Sequence, residues 1–296
     1  MTAVVEVSNL SKRFGRFTAV DDVSFSIEEN GIYGLLGRNG AGKTTIMQLL
    51  TGQEFASGGS VTVFGQSPLE NAAVLERVCF IKESQRYPED FHVKHVFRSA
   101  PSFFENWDAE FAERLVDEFR LPLNRRIKKL SRGQLSSIGV IVGLASRAPL
   151  TIFDEPYLGL DAVARQTFYD RLLADYAEHP RTIMLSTHLI DEVSNLLEHV
   201  LVIDEGRIII DSPADALRGS ATSLAGATAA LNTVLGDREV LHRVSIGGLS
   251  VVTVAALSAD EASTARKAGL ELSPVSLQQL IIRKTKVSEK EFELSA

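Results

Sequence analysis

Gly31–Gly52 reads "GIYGLLGRNGAGKTTIMQLLTG". An uncharged apolar run ends at Gly37, and Gly37–Thr44, "GRNGAGKT", fits the pattern G-x-x-x-x-G-K-[ST]. Lys43–Gly52 then has helical character and a glycine stop. A buried strand, a glycine-rich loop and a helix open an α/β unit. The residue types also dictate the chemistry of the loop. Gly37, Gly40 and Gly42 let backbone N–H groups along Arg38, Asn39 and Ala41 turn inward around phosphate oxygens. Lys43 places a point charge on the β- and γ-phosphates, and Thr44 offers a hydroxyl to Mg²⁺. The helix points its positive end at the anion. A glycine-rich turn that merely precedes a helix is the plain alternative. The strand before the loop and the helix after it weigh against that alternative.

Around this centre, Val4–Val7 and Asp22–Ile27 alternate apolar and polar residues, as half-buried strands do. Ser60–Gly65, Arg77–Ile81, Pro149–Asp154, Arg181–Thr187 and His199–Asp211 read as further strands, the last turning at Gly206. Pro101–Leu121 turns helical, with Phe111, Leu115, Val116 and Phe119 on one face. Leu217–Ala230 is rich in Ala, Gly, Ser and Thr and reads as a linker or a loosely packed helix. Beyond it, "EVLHRVSI" and "LSVVTVAAL" are strands joined by Gly247-Gly248. Capping boxes at Ser258–Glu261 and Ser276–Gln279 open two helices, with the strand "LELSPV" between them. The expected organisation is a nucleotide-binding domain over 1–220 and a small α+β appendage over 221–296, in the order β-β-α-β-α.

The totals narrow the function. The chain has 296 residues and a formal charge of −7, with eight acidic and eight basic residues from Ala221 onward. The negative balance therefore lies in the first 220 residues, and no basic stripe suggests a nucleic-acid partner. Cys79 is the single cysteine, which excludes a disulfide within the chain and suits a reducing compartment. The start "MTAVVEVSNL" lacks the pattern of a signal peptide. The longest apolar runs fall far short of the roughly 18 residues of a membrane span.

Three further features bear on the triphosphate. In "LTIFDEP" (Leu150–Pro156) a buried strand ends in two carboxylates. Asp154 can hold Mg²⁺ through water, and Glu155 is placed to polarise a water for attack on the γ-phosphate. A strand exit with solvated acids is the plain alternative. His188 follows the strand "IMLST", where a histidine is often an ordinary loop residue. In "KKLSRGQLSS" (Lys128–Ser137), Ser131 reads as the N-cap of an apolar helix.

The order and spacing of these motifs, over about residues 3–215, resemble the nucleotide-binding domain of ATP-binding cassette (ABC) proteins. Gly37–Thr45 resembles Walker A, and "TIFDEP" resembles Walker B with its glutamate. "LSRGQ" resembles the LSGGQ signature, and "GLD" (Gly159–Asp161) the D-loop. "VCFIKE" (Val78–Glu83) resembles the strand entering the Q-loop. The resemblance implies a P-loop NTPase fold: a RecA-like core, an antiparallel β subdomain and a helical subdomain at about 84–145. It implies that Phe14 stacks on adenine, that Thr45 belongs to the phosphate loop, and that His188 is the switch histidine. Glu83, with Gln85 as the other candidate, stands where the family has a metal-binding Gln. Arg132 stands where the signature has Gly, and Tyr157 replaces the common Thr after "EP".

The resemblance further implies a head-to-tail dimer with a second copy or a homologous ATPase. In that dimer Ser131, Gly133, Gln134 and Asp161 contribute to the partner's ATP, with the helix running from Gln134. It also implies separate transmembrane permease subunits, which would place the chain in the cytoplasm on the inner face of the membrane. With its C-terminal extension the chain resembles bacterial exporter ATPases for drugs, antibiotics and peptides. Import, or a soluble ABC ATPase acting on ribosomes or DNA, is the alternative. No nucleic-acid partner is expected, because the ribosome- and DNA-acting members carry features this chain lacks.

Overall fold

The computed structural model describes residues 3–83 and 85–282. Two compact units divide it. The first runs to His188 and resumes over Leu196–Asp211; the second takes Leu189–Asn195 and the chain from Ser212 onward.

The first unit opens with two long strands, β1 (Ala3–Phe14) and β2 (Phe17–Glu28), followed by β3 (Ile32–Leu36), α1 (Lys43–Leu50) and β4 (Gly58–Val63). Next come α2 (Ala72–Leu75), β5 (Val78–Ile81) and three helices, α3 (Val93–Ser99), α4 (Ala109–Glu118) and α5 (Arg132–Ala145). β6 (Leu150–Asp154), α6 (Ala162–Glu178) and β7 (Thr182–Thr187) follow. The short helix α7 (Ile190–Val193) lies in the second unit, and β8 (His199–Asp204) and β9 (Arg207–Pro213) complete the sheet of the first.

β2-β1-β4 form an antiparallel sheet. β5-β6-β7-β3-β8-β9 form a six-stranded sheet in which β5 to β8 and β3 pair in parallel. β3, β6 and β7 are buried along their whole length. Strands covered on both faces need continuous apolar runs, which is how they read in the sequence. One core joins the two sheets around α1, with Val5, Leu10, Ile27, Leu35, Ile46, Met47, Ile152 and Leu201 buried together. Glu205 and Gly206, both at positive φ, make the β8–β9 turn, as a two-residue hairpin demands.

The parallel register fixes the site. Leu36 pairs with Thr187, and Asp154 pairs with Ser186. Gly37, Glu155 and His188 therefore leave their strands at one sheet edge. This carboxyl edge is where open α/β sheets bind ligands.

The helical stretch expected over Pro101–Leu121 is shorter. A 3₁₀ turn at Ala100–Ser102 precedes α4, whose N-cap Asp108 accepts from the Phe111 N–H at 2.8 Å. The side chains of Phe111, Leu115 and Val116 are buried, while Phe119 caps the helix.

The second unit differs from the expected appendage. Besides Leu189–Asn195, which carry α7, it takes the chain from Ser212. α8 (Ala214–Leu217) ends where the Ala/Gly/Ser/Thr stretch read as a linker or helix starts, and that stretch holds β10 (Ala221–Ala227) and the start of α9 (Thr228–Leu235). After it come β11 (His242–Ile246), β12 (Leu249–Ala255), α10 (Ala259–Lys267) and β13 (Glu271–Pro274). The sheet order β11-β12-β10-β13, all antiparallel, is that of the βαββαβ ferredoxin-like motif. β10 is a central strand, with Leu224 packed among Val252, Val254, Leu231 and Leu270. α7 joins this unit because Asp191 accepts from Ser276 Oγ at 3.3 Å and from the Gln278 N–H at 3.4 Å.

Candidate functional site

The loop after β3 wraps around its own lysine. Lys43 Nζ donates to the carbonyls of Gly37 at 2.8 Å and Arg38 at 3.2 Å, and is almost fully buried. Gly37 has to be glycine, because a Cβ there would meet the Ile203 carbonyl oxygen at 2.3 Å. Gly42 caps α1, and Thr44 lies in the first turn of that helix.

Thr44 Oγ1 donates to Asp154 Oδ2 at 2.7 Å, so the loop and the end of β6 meet. The other oxygen, Oδ1, accepts from Ser186 Oγ at 2.6 Å. Ser186 Oγ also accepts from the Glu155 N–H at 2.9 Å, which supports the left-handed backbone of Glu155 at φ 49°. A buried carboxylate beside a hydroxyl at a phosphate loop is the hard-oxygen donor set that suits Mg²⁺. Thr44 and Asp154 fit that ion.

Glu155 is buried between two sets of partners. Oε1 lies 3.4 Å from Lys43 Nζ and has no hydrogen-bond partner among the described residues. Oε2 is 2.8 Å from His188 Nδ1 and accepts from the phenol of Tyr157. A carboxylate only accepts, so His188 Nδ1 carries the hydrogen in this contact.

Ser131 is the N-cap of α5, which begins at Arg132 rather than Gln134. Ser131 Oγ accepts from the Gln134 N–H at 3.2 Å, and Gln134 Oε1 accepts from the Ser131 N–H at 3.1 Å. This reciprocal capping box uses the Gln134 side chain. Gly133 has a reason inside the chain to be glycine: a Cβ would stand 2.6 Å from the Gly159 carbonyl oxygen. Asp161 caps α6, accepting from the Ala164 N–H at 2.8 Å. Phe14 is 46% exposed at the end of β1, with Lys12 Nζ 4.7 Å from its ring centroid, so the ring is open to stacking. Glu83 is exposed, and its carboxylate pairs with Arg132.

Sequence reasoning gave no role to Ser186, Thr187 or Tyr157. Ser186 and Thr187 lie on β7, and the strand neighbour of β6 is not readable from one sequence. Tyr157 showed only as a departure from the usual Thr.

Residues 20–158 match the family model described as ABC transporter. The Nod factor export ATP-binding protein I of Cupriavidus pinatubonensis (strain JMP 134 / LMG 1197) is 33% identical over 254 residues, 77% of this chain and 78% of that protein. The chain belongs to the ABC transporter ATP-binding family. The bacitracin transport ATP-binding protein BcrA of Bacillus licheniformis is 28% identical over 237 residues, 74% of this chain and 72% of that one. A solved structure described as the ATP binding subunit of an ABC transporter superposes with a TM-score of 0.66 at 25% identity, over 72% of this chain and 91% of that one.

ATP binding and hydrolysis are the activity of this family, and the fold is its P-loop cassette. ABC ATP-binding subunits work with membrane subunits. In this ABC subunit no helix among the described residues is long and apolar enough to cross a membrane.

Proposed function

We propose that this ABC subunit hydrolyses ATP to power an exporter built from separate membrane chains. The carrying observation is the state of Glu155. One carboxylate oxygen is buried beside Lys43 with no hydrogen bond from the described residues, and the other is anchored. Oε1 takes the proton of a water whose oxygen attacks the γ-phosphorus, and the bond to the ADP oxygen breaks. Lys43 binds the β- and γ-phosphates, and Gly37–Thr45 wraps them. Thr44 and Asp154 hold Mg²⁺, which neutralises charge developing on the phosphates. His188 positions Glu155, and Phe14 stacks on the adenine.

Ser131, exposed, caps α5, and Gly133 lies in the first turn. Ser131 and Gly133 reach the γ-phosphate on a second cassette, arranged head to tail, together with Gln134 and Asp161. Binding of ATP then closes the pair and hydrolysis reopens it.

The membrane partner is supported by a groove of 830 Å³ on the first unit, lined by Leu75, Tyr87, Phe91, Phe103 and Val142 among others. Phe91 and Phe103 are 41% and 68% exposed. An amphipathic helix of a permease fits such an apolar groove. This arrangement places the chain in the cytoplasm, on the inner face of the membrane. The names of the similar proteins, Nod factor export and bacitracin transport, support transport over a ribosomal or DNA role.

The test is Glu155→Gln. The variant binds ATP and pairs but turns over at least about a hundredfold more slowly, the low end for a lost general base. Turnover at the native rate would remove Glu155 from this role.

A further inference from the structure

Glu155 has two oxygens, and a free carboxylate turns readily about its last torsion. Something must tell them apart if one is to be the base. Two donors converge on Oε2, the Nδ1–H of His188 and the phenol of Tyr157, while Oε1 has no hydrogen-bond donor among the described residues. The phenol is itself fully engaged. Its oxygen accepts from Thr187 Oγ1 at 2.9 Å and from the His188 backbone N–H at 3.1 Å, and its one hydrogen goes to the carboxylate. The Tyr157 ring is 2% exposed and lies edge-on to His188, with centroids 5.7 Å apart. Burial, and then the hydrogen bond to Glu155, push the phenol above its ordinary range, so it stays a donor wherever the enzyme works.

We propose that Tyr157 is a positioning residue for ATP hydrolysis: with His188 it anchors Oε2 of Glu155 and leaves Oε1 alone to receive the proton of the attacking water. The inference rests on the reading of Glu155 as general base. Tyr157 also ties that base to the backbone after β7. Through Thr187 and the His188 N–H, any displacement of the β7 end is transmitted to the carboxylate. The side chain needs its hydroxyl for this, not merely its ring.

Tyr157→Phe keeps the ring and removes the donor. In the full chain with MgATP, kcat falls roughly ten- to hundredfold, the cost of a misplaced reacting group. KM stays within about twofold, as does the affinity for a fluorescent ATP analogue measured without Mg²⁺, because the phenol is buried against Glu155, Thr187 and the His188 backbone. Adding His188→Ala to Tyr157→Phe costs more than adding it to the native chain, since Oε2 then has no donor. A kcat within about twofold of native, or a loss of nucleotide affinity matching the loss of kcat, overturns the proposal. Glu155→Gln run alongside separates the two readings. If Glu155→Gln is inactive and Tyr157→Phe fully active, only the role of Tyr157 falls. If Glu155→Gln is active, the base assignment falls and takes this one with it.

Discussion

Arg132 Nη2 lies 3.0 Å from Glu83 Oε1. Arg132, which stands where the signature has Gly, therefore meets Glu83, one of the two candidates for the Q-loop position, and each offsets the charge the other introduces. Glu83 lies just beyond β5, whose neighbour β6 carries Asp154. An uncompensated carboxylate there would repel a polyphosphate. Both partners are exposed, at 69% and 46%, so the pair contributes at most about 1 kcal/mol. Arg132→Gly alone should raise KM for MgATP up to about fivefold, within that range. The double variant Arg132→Gly with Glu83→Gln should return close to the native value, and raising the salt should shrink the difference. Four KM values at two salt concentrations decide it. Strictly additive effects would mean that the pair does not act as a unit.

Much of the site was legible because it is local. The phosphate loop, the acid pair at the end of β6 and the Ser131 capping box each depend on residues a few positions apart. What was not legible is what strand order supplies. Ser186 meets Asp154 only because β7 lies beside β6, and Thr187 and Tyr157 meet only across that same edge. β10 failed for a different reason. "ATSLAGA" is poor in the branched and aromatic residues that favour strands, yet it lies between β12 and β13 with both edges paired. Position in the sheet overrode composition. Small residues there let Leu224 and its neighbours pack beneath α9 and α10.

Cys79 offers a chemical report on the first unit. It lies on β5, 1% exposed, and burial pushes its thiol up to about 12. The thiolate is the reactive form, so native protein at pH 8 should resist a maleimide and label fully once unfolded in urea. The sign with pH follows. Below the ordinary thiol value of 9.0 both states hold the proton and pH has no effect through this group. Above it the unfolded chain ionises first, so stability should fall as pH climbs from 9 towards 12. Cys79→Ser or Cys79→Ala should flatten that decline in urea unfolding curves. Fast labelling of the folded chain would contradict the buried placement.

Asp175 is buried between two arginines. Its Oδ2 accepts from Arg181 Nη1 at 2.7 Å, and its Oδ1 from Arg147 Nη2 at 2.9 Å. Arg147 reaches on to Asp108 at 2.9 Å, so one network joins α6, the start of β7 and the cap of α4. Arg181 is 4% exposed, and burial pulls its guanidinium below the ordinary range despite Asp175. Removing the acid leaves that cation buried and unpaired. Asp175→Ala should therefore cost about 3–5 kcal/mol, as broken buried pairs do. Asp170→Ala, on the exposed side of the same helix, should stay within about 0.5 kcal/mol. Trp107, next to Asp108, gives a fluorescence signal in the same unit for urea unfolding of both variants. A loss for Asp175→Ala no larger than that of Asp170→Ala would show that solvent reaches Arg181 and that the network is not structural.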